Sequence, residues 1–251
     1  MSFPQMIPLQ QRFNAESLED PVGDTTRSLA ALDLTIRPGA RIGVAGGSRG
    51  IANIAPITRA VVDHLKERGA EPFILPAMGS HGGASAKGQK EVLASYGISP
   101  ETMGVPVEST MDVEEVGVLE DGTPVLLNRL ACQADGIVLI NRIKPHTSFR
   151  GLFESGLMKM MTIGLGSHKG ATMAHSQGAE GLARLIPQWG QVILEKAPIL
   201  AGIALVENAY EKTAVVEALT PDRFTRREPQ LLALARENMP RIMLHDIDLL
   251  I

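Results

Sequence analysis

Residues 137–151 read IVLINRIKPHTSFRG, five uncharged residues from Ile137 to Asn141 followed by a basic segment broken by Pro145. An apolar, β-branched run too short for a helix suits a strand buried on both faces, and such strands belong to parallel sheets covered by helices. The run empties into Lys144-Pro145-His146. It therefore predicts polar side chains at the mouth of a parallel strand, where α/β proteins gather ligands.

Toward the N-terminus, Arg41 to Ala45 (RIGVA) reads as a short buried strand ending at Gly46-Gly47. Ile54 to Arg68 carries Ile57, Val61, Val62 and Leu65 at helical spacing, with Gly69 as its stop. Phe73 to Pro76 is again a strand, followed by the loop GSHGGAS and a helix from Ala86 to Tyr96 closing at Gly97. Val113 to Leu119 and Pro124 to Asn128 flank Glu120-Asp121-Gly122, a hairpin signal. Toward the C-terminus, helices are predicted over Phe153 to Thr162, Leu182 to Ala197 and Gln230 to Asn238, and strands over Ile203 to Glu207 and Ala214 to Ala218. Asp246 to Ile251 (DIDLLI) reads as a terminal strand. The alternation predicts an α/β fold, a mostly parallel helix-flanked sheet within one domain over 1–251. A terminal apolar strand with no cap after it leads us to expect a domain boundary there, with a second domain beyond.

Composition narrows the function. Apolar residues are 44% and charged residues 21% of 251, which suits a globular core rather than a disordered chain. With 24 Lys and Arg against 28 Asp and Glu, the net charge of -4 argues against a protein built to neutralise nucleic-acid phosphates. A single cysteine, Cys132, forms no internal disulfide and no cysteine metal cluster. The N-terminus lacks a signal-peptide pattern, and no run reaches the ~18 apolar residues of a membrane helix. A cytoplasmic location, without membrane or nucleic-acid partners, is expected.

Six histidines fall into two groups. His64, inside an amphipathic helix, and His245 read as solvated or satisfied. His81, His146, His168 and His175 fall in glycine-rich or polar connections after apolar runs, where loops carry binding and catalytic groups. His81 stands among Gly79, Gly82 and Gly83, so backbone there can approach a ligand closely. His146 brings an imidazole that titrates near neutrality to a strand mouth. Lys159 sits among Met158, Met160 and Met161 in GLMKMMTIG. A lysine there either snorkels to solvent or is drawn into apolar surroundings that free its amine as a nucleophile. Arg49 in GGSRG is placed to fork onto a carboxylate. That motif lacks the spacing of a dinucleotide fingerprint and the Lys of a P-loop, which excludes standard NAD or ATP sites. Glu154 and Arg150, near His146, read as a surface pair.

Taken in order, GSRG, GSHGG, IVLIN leading to KPH, the lysine of GLMK and the later AHS resemble the lactate racemase family, nickel-pincer-nucleotide-dependent 2-hydroxyacid racemases and epimerases. The resemblance spans Arg41 to Ser176. It implies the family's N-terminal catalytic domain, with Arg49 holding the substrate carboxylate and His81 and His146 exchanging the hydroxyl proton. It also implies that Lys159 links covalently to the pincer nucleotide, and that His175, sixteen residues later, binds its nickel. One imidazole plus the cofactor's own donors fits nickel's square-planar preference. The chain reads Gly-Leu-Met-Lys where the lactate enzymes carry Gly-Gly-Arg-Lys, and His168 in GSHKGA is a rival nickel ligand. The implied partners are a small 2-hydroxyacid and the cofactor-making enzymes. Two alternatives stand beside this isomerase. One is a zinc-dependent hydrolase using His81, His146 and His175, and the other a protein that binds a small carboxylate through Arg49 without turnover.

Overall fold

A computed structural model describes residues 7–249. The helices are α1 (Pro21–Ala30), α2 (Ile54–Glu67), α3 (Ala86–Ser95), α4 (Pro100–Met103), α5 (Arg129–Cys132), α6 (Leu157–Lys159), α7 (Ser167–His175), α8 (Gly178–Lys196) and α9 (Pro221–Asn238). A π-helical segment, Met160–Gly164, continues α6. The strands are β1 (Arg41–Gly46), β2 (Glu71–Pro76), β3 (Val113–Val118), β4 (Pro124–Asn128), β5 (Gly136–Arg142), β6 (Ile199–Glu207) and β7 (Thr213–Leu219). A five-stranded sheet runs β2-β1-β5-β6-β7, parallel except for the antiparallel β6-β7 pair, and β3-β4 form the expected hairpin apart from it.

The two-residue period of β5 explains its sequence. Ile137 and Leu139 join the core on one face with Met158, Trp189 and Phe224, while Val138 and Ile140 join the other with Ile57, Val61 and Leu65. Both faces are covered, so no polar alternation is tolerated. The predicted helix after β1 begins at αL Asn53 and is stopped by Gly69, whose φ of +81° suits a residue without Cβ. Ser85 accepts the Gly88 N–H at 3.1 Å and caps α3, a contact of about 1 kcal/mol.

Several expectations are corrected. The helix predicted over Phe153 to Thr162 starts only at Leu157, because Ser155 is paired backbone to backbone with Lys144 at 2.9 and 3.1 Å and stays extended. The helices predicted from Leu182 and Gln230 begin earlier, at Gly178 and Pro221. Helices α1, α4, α5 and α7 were not anticipated, so His168 and His175 lie on a helix rather than in a connection. Residues Asp246–Leu249 form no strand, and Leu250 and Ile251 lie outside the described residues. Both edge strands make other contacts: Ile74 of β2 exchanges 2.8 and 2.9 Å bonds with the 106–108 segment, and Ala218 N–H of β7 donates to Ser28 Oγ at 2.7 Å. His64, expected to be solvated or satisfied, is buried with Nε2 unpartnered. No helix among the described residues is long and apolar enough to cross a membrane.

Candidate functional site

The strand order makes the site. β1 lies between β2 and β5, so the chain leaves β1 toward one side and later returns on the other, and the carboxyl ends of β1 and β5 open a crevice. A cleft of about 620 Å³ occupies that place. Arg49 reaches it from the loop after β1, His81 from the loop after β2, and His146 from the loop after β5. Lys159 at the end of α6 and His175 at the end of α7 complete the lining. By sheet order Arg49 is flanked by one imidazole on the β2 side and one on the β5 side. His168 is exposed at the start of α7 and does not line the cleft. Seven residues separate it from His175, about 10 Å of helix rise.

Lys159 does not snorkel. Its side chain is half-buried and its Nζ stands 5.3 Å from the Phe149 ring centroid. Burial first, and then Arg49 and Lys144, push its pKa down to about 8. The backbone around it is unusual: Leu165 N–H donates to Met160 C=O at 2.8 Å in π register, and Thr162 Oγ1 donates to Met158 C=O at 2.9 Å. Single π turns of this kind concentrate at functional sites. The turn docks on the His81 loop, where Gly79 N–H donates to Gly164 C=O at 3.0 Å. The next helix start is also tied down, since Asn128 Nδ2 donates to Ser167 Oγ at 2.9 Å.

The three imidazoles are held neutral by burial and neighbouring cations. His146, whose ring leans on Phe149 at 4.4 Å between centroids, is pushed down to about 4 by burial and then by Lys159. His81 is lowered by burial, then by Arg49, Lys159 and His175, and His175 is lowered by burial and Lys159. Ser148 N–H donates to His146 Nδ1 at 3.1 Å, an arrangement that assigns the neutral ring's proton to Nε2. His81 Nδ1 is hydrogen bonded to Ser48 Oγ, and Tyr96 Oη donates to the Ser48 carbonyl at 2.9 Å.

Carboxylates lie behind the cleft, not in it, for no Asp or Glu among the described residues lines it. Glu154 and Arg150 are not the expected surface pair. Glu154 is fully buried and accepts the His146 N–H at 2.7 Å, the Gly151 N–H at 3.3 Å and the Arg236 guanidinium at 2.6 Å. Arg150 is 3.9 Å away and largely exposed. Glu207 accepts Ala52 N–H at 2.7 Å and pairs with Arg142, bracing the Arg49 loop against the end of β5. Lys144, Ser48 and Arg142 line the cleft without having been singled out from sequence. Lys144 was the most readable, a second cation two residues before His146.

Among the described residues no three His, Cys, Asp or Glu side chains come close enough to hold a metal together. The three-histidine zinc site of the hydrolase alternative therefore does not form. What the cleft offers is a cation-lined, acid-free crevice at a switch point, with neutral imidazoles and an amine of lowered basicity.

These features define an α/β protein with a cation-lined cleft at the carboxyl edge of its sheet. The profile of the lactate racemase N-terminal domain matches residues 15–182, more than half of the chain, and the chain belongs to that family. The lactate racemase apoprotein from Thermoanaerobacterium thermosaccharolyticum is similar in structure, with a TM-score of 0.68 and 19% identity over 86% of this chain and 55% of that one. A Thermotoga maritima protein is similar at a TM-score of 0.64 and 19% identity, over 87% of this chain and 59% of that one. The chain thus spans less than two thirds of either relative, and the likeness bears on fold. No functionally curated protein matches the sequence.

Proposed function

We propose that this chain provides the cofactor- and substrate-holding half of a 2-hydroxyacid racemase or epimerase. The observation that carries the reading is the convergence of Lys159, His81, His146 and His175 on one cleft beside Arg49. Arg49, with no carboxylate partner among the described residues, grips the substrate acid group. A substrate so held has its hydroxyl between two loops that each carry an imidazole. His81, with Nδ1 held by Ser48, takes the hydroxyl proton through Nε2, and His146 presents the opposite, proton-bearing nitrogen. The roles exchange for the other enantiomer.

The residues fit a nickel-pincer nucleotide. Lys159, with its pKa near 8, has free amine at physiological pH for a covalent link, and His175 presents a neutral imidazole to nickel. When bound, that group would supply the hydride acceptor for the substrate α-carbon. Lys144, half-buried and also lowered by burial, leaves the cleft cationic for the nucleotide's anionic parts. Loading calls on the cofactor-making enzymes as transient partners in the cytoplasm.

Co-expression of the chain with those enzymes tests the reading. An adduct mass on Lys159, nickel at about one per chain and interconversion of D- and L-2-hydroxyacids support it. Loss of all three, in cells that load a lactate racemase control, overturns it. Tight carboxylate binding that survives His81→Ala with His146→Ala, without turnover, would favour the non-catalytic binder instead.

A further inference from the structure

Glu228 lies on α9, beyond the residues that the family profile matches, and is fully buried. A carboxyl in an apolar core is costly unless its oxygens meet donors. Its Oε2 accepts the Met158 N–H at 3.0 Å, while its Oε1 is buried without a hydrogen-bond partner among the described residues. Leu157 and Met158 open α6, and the first N–H groups of a helix have no acceptor within it. Gly156 before them has no side chain to supply one, and a Cβ there would stand 2.3 Å from Glu228 Oε1. The cap of α6 thus comes from a residue seventy positions away. Even with the π segment that continues it, α6 is far shorter than a helix stable on its own, so its place is set by tertiary contacts such as this one, and its third residue is Lys159.

We propose that Glu228 is the positioning residue for Lys159: its carboxyl, delivered from α9, fixes the start of α6 and so holds the amine at its place in the cleft. The proposal rests on the reading of Lys159 as the attachment amine. Two contacts reinforce the same anchor. Asn141 Nδ2 donates to the Gly156 carbonyl at 2.7 Å, tying the α6 start to the end of β5. Two turns along α9, Arg236 holds Glu154 and through it the His146 loop. One helix therefore sets both the amine and an imidazole.

The test is made on the unloaded chain, by competitive labelling of its lysines with acetic anhydride across pH 6–11 and peptide mass spectrometry of Lys159. The wild-type midpoint is expected near 8. Glu228→Gln, which keeps an acceptor oxygen, keeps that midpoint. Glu228→Ala moves it to the ordinary lysine value of about 10.4, cutting labelling at pH 8 by roughly a hundredfold. A folded Glu228→Ala chain with an unmoved midpoint overturns the proposal, as does a Glu228→Gln chain that behaves like Ala. Should the Ala variant fail to fold, amide exchange decides: Met158 must be protected in wild type and Gln chains, and exchange there at free rates overturns the role. An unmoved midpoint leaves cofactor attachment untouched, and failed loading of the wild type leaves the midpoint untouched, so the two readings fail separately.

Discussion

The backbone N–H of His146 donates to Glu154 Oε2 at 2.7 Å, and the Glu154 side chain has no exposed surface. The imidazole therefore rides on a loop whose geometry is set from inside the protein. Glu154→Ala leaves the His146 and Gly151 N–H groups and Arg236 without their acceptor. A loss of about 2–4 kcal/mol in urea denaturation is expected, with Glu154→Gln losing less because one acceptor oxygen remains.

Gly164 tests the joint between the π segment and the His81 loop. A Cβ there would stand 2.6 Å from the Ala77 carbonyl oxygen, a backbone atom that gives way only if the end of β2 moves. Gly164→Ala should cost about 1–3 kcal/mol. It should also shift the His81 ring resonances in NMR, since Gly79 is bonded to the same residue. An unshifted His81 would show that the two segments are not coupled.

Burial of the Lys159 amine works against the fold. Lys159→Met removes a desolvated cation from a methionine-lined wall, so the melting temperature should stay or rise while any cofactor adduct disappears. Lys159→Arg keeps the charge but has no free amine at any working pH, so it too should show no adduct in intact-mass measurement.

Stability should respond to pH in two opposed windows. The folded His146 pKa is near 4 against an ordinary 6.5, so between these values the unfolded chain takes up a proton that the fold refuses. The contribution is whole above 6.5 and is lost as pH falls toward 4, and the lowered His64, His81 and His175 act in the same sense. Glu228 does the reverse. Burial pushes it up to about 7 from 4.5, so its contribution is whole below 4.5 and fades as pH rises through 7. Urea midpoints from pH 4 to 8 should show a shallower acid limb for His146→Asn and a shallower neutral limb for Glu228→Gln.

Most of the frame was readable along the chain. RIGVA, FILP and IVLIN are strands because runs that short and that apolar bury on both faces, and the glycines after them mark turns. Those same runs put Arg49, His81 and His146 at strand mouths. The readings that failed depend on a partner elsewhere. Ser155 is extended because Lys144 pairs with it, and residues 246–249, strand-like as they read, find no strand to pair with among the described residues. Glu154 looked like a surface acid because Arg150 is its local neighbour, whereas it is buried and its short-range partner is Arg236, eighty-two positions on.

By itself the sequence determined the α/β class, the loops that carry the arginine and two histidines, and the odd lysine among methionines. Periodicity and turn chemistry act over a few residues, so they are legible without neighbours in space. Only the tertiary structure decided that His175 and not His168 faces the cleft, that Lys159 is desolvated there, and that buried Glu154 and Glu228 accept the backbone N–H groups of His146 and Met158. Those outcomes follow from strand order and from contacts across seventy or more positions, which the packing of the whole chain selects.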